Sequence, residues 1–142
     1  MAMASPQSIP RWFMVAALLA TIWNAFGVSM YLSSAGVFGD PTAGLTQAER
    51  EAASSVPAWI TGAFAIGTVA GLIGSFGLLL RRRWAQSVLI MSMVALLFLE
   101  GWIVFFSNAR EAFGLAVPIM VSVGAMLLVW LSSVARRQRW LS

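Results

Sequence analysis

Cysteine, histidine and lysine are entirely absent from this sequence, and their absence excludes much of the usual chemistry of proteins. Without cysteine there is no disulfide, no thiolate metal site and no thiol nucleophile. Without histidine and lysine there is no imidazole base, no Schiff-base amine and no phosphate-loop lysine. The residues that remain form no catalytic or metal-ligating constellation, so we expect no enzymatic activity, no cofactor and no metal site.

Charge is also scarce, because only 10% of the 142 residues are charged whereas 60% are hydrophobic, with a mean hydropathy of +0.85. This balance excludes a soluble domain of this length and is typical of a membrane protein. The net charge of +4 would suit a nucleic-acid partner, but all nine basic residues are arginines and most lie at the ends of apolar runs. We therefore interpret the charge as a topology signal and expect no nucleic-acid partner.

Four apolar runs are long enough to cross a bilayer, which takes about 20 residues. They cover approximately residues 12–35, 57–80, 84–106 and 112–135, and we assign them to one domain, residues 1–142. We interpret the first run as a retained span, because it is longer than the ~7–15 apolar residues of a cleaved signal peptide. Gly36 is placed to cap its end in the left-handed conformation, and Pro118 either begins or kinks the fourth helix.

The longest polar connection runs from Asp40 to Val56, between the first two spans. Thr46 and Glu49 have the spacing of a capping box, which predicts a short amphipathic helix over about residues 47–54, at the membrane surface. The predicted fold is thus an all-α membrane protein. It is an antiparallel bundle of four transmembrane helices, with this short helix on the outer side between helices one and two.

The arginines predict the orientation of the bundle, because cytoplasmic loops carry an excess of positive charge. With the amino end inside, only Arg50 and Arg110 face outward, and both termini lie in the cytoplasm of a bacterial inner membrane. The inner arginines are also candidates for binding anionic lipid headgroups or a cytoplasmic partner, although a role in topology alone is the alternative. These candidates are Arg81, Arg82, Arg83, Arg136, Arg137 and Arg139.

The second span carries a row of small residues on one helix face, which we call the small-residue stripe. Such a face admits a neighbouring backbone, either that of a second copy or that of another helix of the same chain. We favour packing within the chain, because a bundle this short needs such a face. The stripe consists of Ala63, Gly67, Gly71, Gly74 and Ser75.

Glu100 is the candidate binding residue that stands out most, because a carboxyl group inside a span is costly. Counted from Trp84, it lies in the outer half of the third span. Asn24 and Tyr31 lie at the same height on one face of the first span, so the three side chains can form one polar cluster. The cluster is either a proton or ligand site or a structural contact, and Trp59, at the outer interface, is a further binding candidate.

Several motifs together resemble those of a family of small bacterial four-span inner-membrane proteins of unassigned function. The resemblance covers nearly the whole chain and implies the four-span fold. Some relatives are loosely labelled sugar transporters, so the resemblance also implies transport as an expectation. The motifs are the pattern of Trp23, Asn24, Gly27 and Tyr31, the run Pro57-Ala58-Trp59, the span from Ala63 to Gly74, and the run Arg82-Arg83-Trp84-Ala85.

Our leading functional hypothesis is a non-enzymatic membrane protein that acts by association. Its partners are then the lipid bilayer and either further copies of the chain or another membrane protein, to which it would be an accessory subunit. The small-residue stripe and the missing catalytic groups motivate this hypothesis. The alternative is a small transporter that uses Glu100 as a proton, cation or substrate site.

Overall fold

The computed structural model describes residues 8–107, 111 and 114–142. Its helices are α1 (Arg11–Ser34), α2 (Gln47–Ser54), α3 (Ala58–Leu79), α4 (Trp84–Phe106) and α5 (Ala116–Arg137). The described part of the chain contains no strand. The all-α fold with four long spans and one short helix is therefore confirmed. Residues 112 and 113, where the fourth span was predicted to begin, lie outside the described residues.

Helix α3 is the central helix of the bundle. It packs along α1 on one side and along α4 on the other, and α5 packs along the far side of α4. In its most apolar segment 44% of the residues are buried, compared with 17% in α1 and in α5. In the described residues, the backbones of α1 and α5 have almost no close contact with each other. The first and last spans are therefore the two edges of the arrangement.

One end of the bundle, which we call the arginine end, holds the start of α1, the turn between α3 and α4, and the segment after α5. The ring centroid of Trp140 lies 5.8 Å from that of Trp12 and 5.3 Å from that of Phe13. The backbone N–H of Ser142 donates to the carbonyl oxygen of Arg81 at 2.7 Å. These contacts hold the final residues across the α3–α4 turn, whereas α2 follows α1 at the opposite end.

Three helix ends are closed by a residue in the left-handed conformation. Gly36, with φ of 78°, closes α1 as predicted, and the N–H of Val37 returns to the carbonyl oxygen of Leu32 at 3.0 Å. At the arginine end the same position is occupied by Arg81 after α3 and by Arg139 after α5, with φ of 58° and 56°. A side chain in this conformation costs about 1–2 kcal/mol that glycine does not.

Helix α2 begins with the predicted capping box. The backbone N–H of Thr46 donates to the Glu49 carboxylate at 2.8 Å, and the N–H of Glu49 donates back to the Thr46 hydroxyl at 3.3 Å. The hydrogen bonds from the backbone and side chain of Thr46 hold the pKa of Glu49 below its ordinary value of 4.5. This confirms the sequence-based prediction of the short helix.

The core has two apolar clusters, one toward each end of the bundle. The cluster at the arginine end contains Phe13, Leu78, Leu89 and Leu131, and the other contains Ile60, Leu96, Leu99 and Ala125. Buried polar side chains lie between them at the middle of the spans, namely Asn24, Thr68 and Ser92. This middle layer borders a cavity to which all four spans contribute residues.

Candidate functional site

The small-residue stripe faces the interior of this chain. A Cβ atom added at Gly67 would lie 2.6 Å from Leu96 Cδ2, and one added at Gly74 would lie 2.7 Å from Leu89 Cγ. Both leucines belong to α4, so the missing side chains allow α4 to pack closely on α3. Ser75 is fully buried, and its hydroxyl donates to the carbonyl oxygen of Gly71 at 2.8 Å. The stripe therefore supports intramolecular packing, and it no longer supports association.

Gly71 marks the point where α1, α3 and α4 converge. A Cβ atom there would overlap the Asn24 Oδ1 atom and would lie 3.1 Å from Ser92 Oγ. Asn24 is buried between α1 and α3, and its Nδ2 group donates to the carbonyl oxygen of Ala20 at 2.8 Å. The Asn24 side chain thus fills the space that a side chain at position 71 would need.

The other polar groups of the middle layer are also bonded to nearby backbone. The Ser92 hydroxyl donates to the Gly67 carbonyl oxygen at 2.6 Å, across the α3–α4 interface. The Thr68 hydroxyl donates to the Phe64 carbonyl oxygen at 2.9 Å. No buried side-chain nitrogen or oxygen atom in the described residues lacks a hydrogen-bond partner. The hydroxyl groups of Thr68 and Ser92 and the Nδ2 group of Asn24 therefore each donate to a backbone carbonyl oxygen.

A cavity of about 400 Å³, which we call the inner cavity, lies beside this layer and is bounded by all four spans. Its volume falls within the ~300–1,000 Å³ of small-molecule sites. The wall is largely apolar. Lining residues include Asn24, Gly27 and Met30 of α1, Phe64 and Thr68 of α3, Ser92 and Leu96 of α4, and Val117, Val121 and Ala125 of α5.

Outside the inner cavity, the exposed edges of α1 and α5 form a shallow groove, the α1–α5 groove, toward the lipid. It is lined by Trp12, Ala16, Leu19 and Ile22 of α1 and by Ile119, Val123, Leu127 and Trp130 of α5. The groove and the inner cavity share five wall residues, which we call the seam: Trp23, Phe26, Met120, Gly124 and Leu128. The inner cavity and the lipid-facing groove therefore adjoin along the seam.

Trp23 bridges the seam. Its Nε1 atom lies 3.7 Å from the position that a Cβ atom of Gly124 would take, so the indole reaches from α1 to the backbone of α5. A transmembrane helix is about 10–12 Å in diameter. A helix therefore cannot enter the seam unless α5 moves away, whereas a single hydrocarbon chain is much narrower.

The inner cavity is too large to remain empty at little cost. Atoms that line an unfilled space have no neighbours on that side and lose those dispersion contacts. Water is a poor filler, because it needs about two to four polar partners and most of the wall is apolar. The cavity thus favours an apolar occupant.

Glu100 lies outside the inner cavity, at the interface of α4 and α5. It is only 7% exposed, and the Ser122 hydroxyl donates to its carboxyl group. Asn24 is level with Ser92, which precedes Glu100 by eight residues and thus by about 12 Å along α4. The predicted polar cluster is therefore not formed. Ser122 is the partner that sequence reasoning missed, because it lies on a different helix.

The two aromatic binding candidates have aromatic neighbours. The Tyr31 ring packs edge-on against Phe64 of α3, with ring centroids 5.9 Å apart. Trp59 is 49% exposed and lies 5.5 Å from Phe98 and 6.1 Å from Trp102, between ring centroids. Tyr31 thus belongs to the α1–α3 interface, and Trp59 belongs to an aromatic surface at the end opposite the arginines.

The six arginine candidates are all exposed, and the segment after α5 brings their two groups together. Arg83 Nε donates to the carbonyl oxygen of Leu141 at 3.3 Å, and Arg136 Nη1 donates to Gln86 Oε1 at 2.8 Å. Within the described chain none of the six has a carboxylate partner. The group consists of Arg81, Arg82, Arg83, Arg136, Arg137 and Arg139.

Four long apolar helices with lipid-type surfaces define the class of the molecule: it is a multi-pass membrane protein. Large apolar side chains are exposed along all four spans, as expected for helices that face lipid. Comparison with protein-family models, with curated proteins and with solved structures finds no match to the chain.

Proposed function

We propose that this protein is a non-enzymatic component of a bacterial inner membrane and that it acts by association with another membrane protein. The partner is a second copy or a subunit of a larger complex. The observation that carries the proposal is the α1–α5 groove, where the first and last spans leave the row of helices unclosed. A partner helix that lies over this groove contacts both edge helices at once.

The character of the groove supports helix docking over its outer surface. Its side chains are apolar and vary in size, from Ala16 to the indoles of Trp12 and Trp130. Helices pack by placing the ridges of one into the grooves of the other, and here two neighbouring helices offer a ready-made groove. The small-residue stripe is already occupied by α4 and cannot serve the same purpose.

The arrangement of charge supports the proposed orientation. Five acidic residues are present, and all lie in the connection after α1 or in the second half of α4 and the segment that follows it. The arginine end therefore carries positive charge without compensation. By the positive-inside rule, this end, with both termini, lies in the cytoplasm.

Cross-linking in native membranes tests the association, and the lack of native cysteine makes single-cysteine variants clean. Val123→Cys places a thiol in the groove. Val94→Cys is a matched control, because Val94 lies on α4 outside the groove lining and is 58% exposed, compared with 50% for Val123. We expect a cross-linked dimer or heterodimer from the Val123 variant only. Equal yields from both variants, or none from either, would contradict the proposal.

The burial of Glu100 favours a second candidate, a small transporter that uses this carboxyl group. A carboxyl group within a span faces a cost of roughly 2.5–3.5 kcal/mol when charged, and here it has a hydrogen-bond partner, Ser122. Glu100→Gln keeps the size and an acceptor but removes the titrating proton. Unchanged proton or substrate flux in vesicles that contain this variant would remove the candidate.

A further inference from the structure

We infer that the inner cavity is a lipid site, filled by one acyl chain of a phospholipid that enters through the seam between α1 and α5. The inference goes beyond the proposed function and does not depend on it. A partner helix would lie on the outer groove, whereas the acyl chain lies behind it, beside Asn24 and Ser92.

The route into the cavity identifies the source of the occupant. The seam residues belong to the wall of the inner cavity and to the wall of the lipid-facing groove, so the lipid phase is the direct neighbour of the cavity. Phospholipid chains are the most abundant apolar molecules in that phase. A single chain also bends, and it can therefore pass the Trp23 indole where a helix cannot.

The chemistry of the wall favours a hydrocarbon over a polar ligand. The hydroxyl groups of Thr68 and Ser92 are engaged with backbone carbonyl oxygens, and the Asn24 amide is bonded to Ala20. A polar ligand would lose its water and find few free partners. A hydrocarbon chain has no hydrogen bonds to lose on transfer from the bilayer, and it makes dispersion contacts with a wall that would otherwise be empty.

Two glycine positions offer a matched pair of variants. Gly124 is in the seam, and the one atom of the described residues outside its own helix that lies within 4 Å of a Cβ atom added there is Trp23 Nε1, at 3.7 Å. Gly62 lies in α3, and nothing is within 4 Å of a Cβ atom added there. Gly124→Leu therefore fills the seam, whereas Gly62→Leu adds the same side chain to an exposed helix surface.

Native mass spectrometry measures the bound lipid directly. Each protein is purified in mild detergent, incubated with palmitoyl-oleoyl phosphatidylglycerol and washed with fresh detergent before measurement. We expect one retained lipid on the natural protein and on Gly62→Leu, and an occupancy at least tenfold lower on Gly124→Leu. Equal retention by Gly124→Leu and Gly62→Leu, or no retention by the natural protein, would overturn the inference.

A second variant and a second readout guard against misfolding of Gly124→Leu. Val121→Phe reduces the inner cavity about one helical turn from Gly124 and should also lower lipid retention at unchanged helix content. In vesicles with brominated acyl chains, a variant that keeps Trp23 as its only tryptophan should be quenched, and addition of Gly124→Leu should lower that quenching. Quenching of Trp23 that neither variant changes would place the lipid outside the cavity and refute the site.

Discussion

The packing of α4 on the small-residue stripe makes a quantitative prediction for Gly74→Ala. The new Cβ atom would lie 2.7 Å from Leu89 Cγ, 2.8 Å from Leu89 Cδ2 and 3.3 Å from the Leu89 backbone nitrogen. The side chain can adjust only if it moves away from α3, and the backbone contact remains tight. Forced overpacking of this kind costs about 1–3 kcal/mol.

Gly62→Ala is the control, because it makes the same chemical change in the same helix. No atom lies within 4 Å of its added Cβ, so only the helix propensity changes, which favours alanine by about 0.5–1 kcal/mol. The propensity gain is the same at position 74 and cancels, so the two variants should differ by the overpacking cost, about 1–3 kcal/mol. At 1.4 kcal/mol per factor of ten, the unfolding equilibrium constants differ by about 5- to 150-fold.

Unfolding by sodium dodecyl sulfate in mixed micelles, followed by circular dichroism, measures this difference. The destabilisation by Gly74→Ala should not depend on protein concentration, because the contact with Leu89 is within one chain. Equal midpoints for Gly74→Ala and Gly62→Ala would refute the packing argument. A midpoint that shifts with dilution only in the natural protein would instead indicate that Gly74 contacts a second copy.

Two further predictions concern the helix ends. Arg81→Gly should stabilise the protein by about 1 kcal/mol, because glycine adopts the left-handed backbone conformation without the cost that a side chain adds. Arg82→Gly is the control, because Arg82 has no positive φ, and it should not stabilise the protein. Thermal unfolding in detergent compares the two variants, and equal effects would contradict the reasoning. The lowered pKa of Glu49 means that the capping box stabilises α2 above pH 4.5 and loses this effect as the pH falls through the lowered value. Hydrogen exchange of the α2 amides should therefore become faster, relative to unprotected amides, as the pH falls through this range. Thr46→Ala removes the capping box and should abolish most of this pH dependence.

Local features of the fold could be predicted from the sequence because each depends on neighbouring residues. The four spans follow from runs of apolar residues longer than the bilayer is thick. Gly36 closes α1 and the Thr46–Glu49 pair opens α2, since both motifs are complete within a few residues. Pro118 lies in the first turn of α5, which is one of the two positions that the sequence allowed.

Features that join distant parts of the chain could not be predicted in this way. The contact between Asn24 and Gly71 depends on which face of α1 meets α3, and hydrophobicity that is nearly uniform around a helix does not specify a face. The Ser122 partner of Glu100 and the seam at Gly124 depend on the rotation of α5. The rise per residue predicted that Asn24 and Glu100 lie at the same height, whereas about 12 Å separates them along the helix axis.

The burial of the small residues also restricts how the protein can associate. Close right-handed crossings between membrane helices need small residues on the outer surface. The large side chains exposed on α1 and α5, such as Leu19, Ile22 and Leu127, keep a partner backbone at a distance. A partner in the α1–α5 groove, as proposed above, would therefore pack against these side chains without close backbone contact, and it would also cover the seam. The two proposals are then linked, because a bound partner would close the route by which an acyl chain leaves the inner cavity.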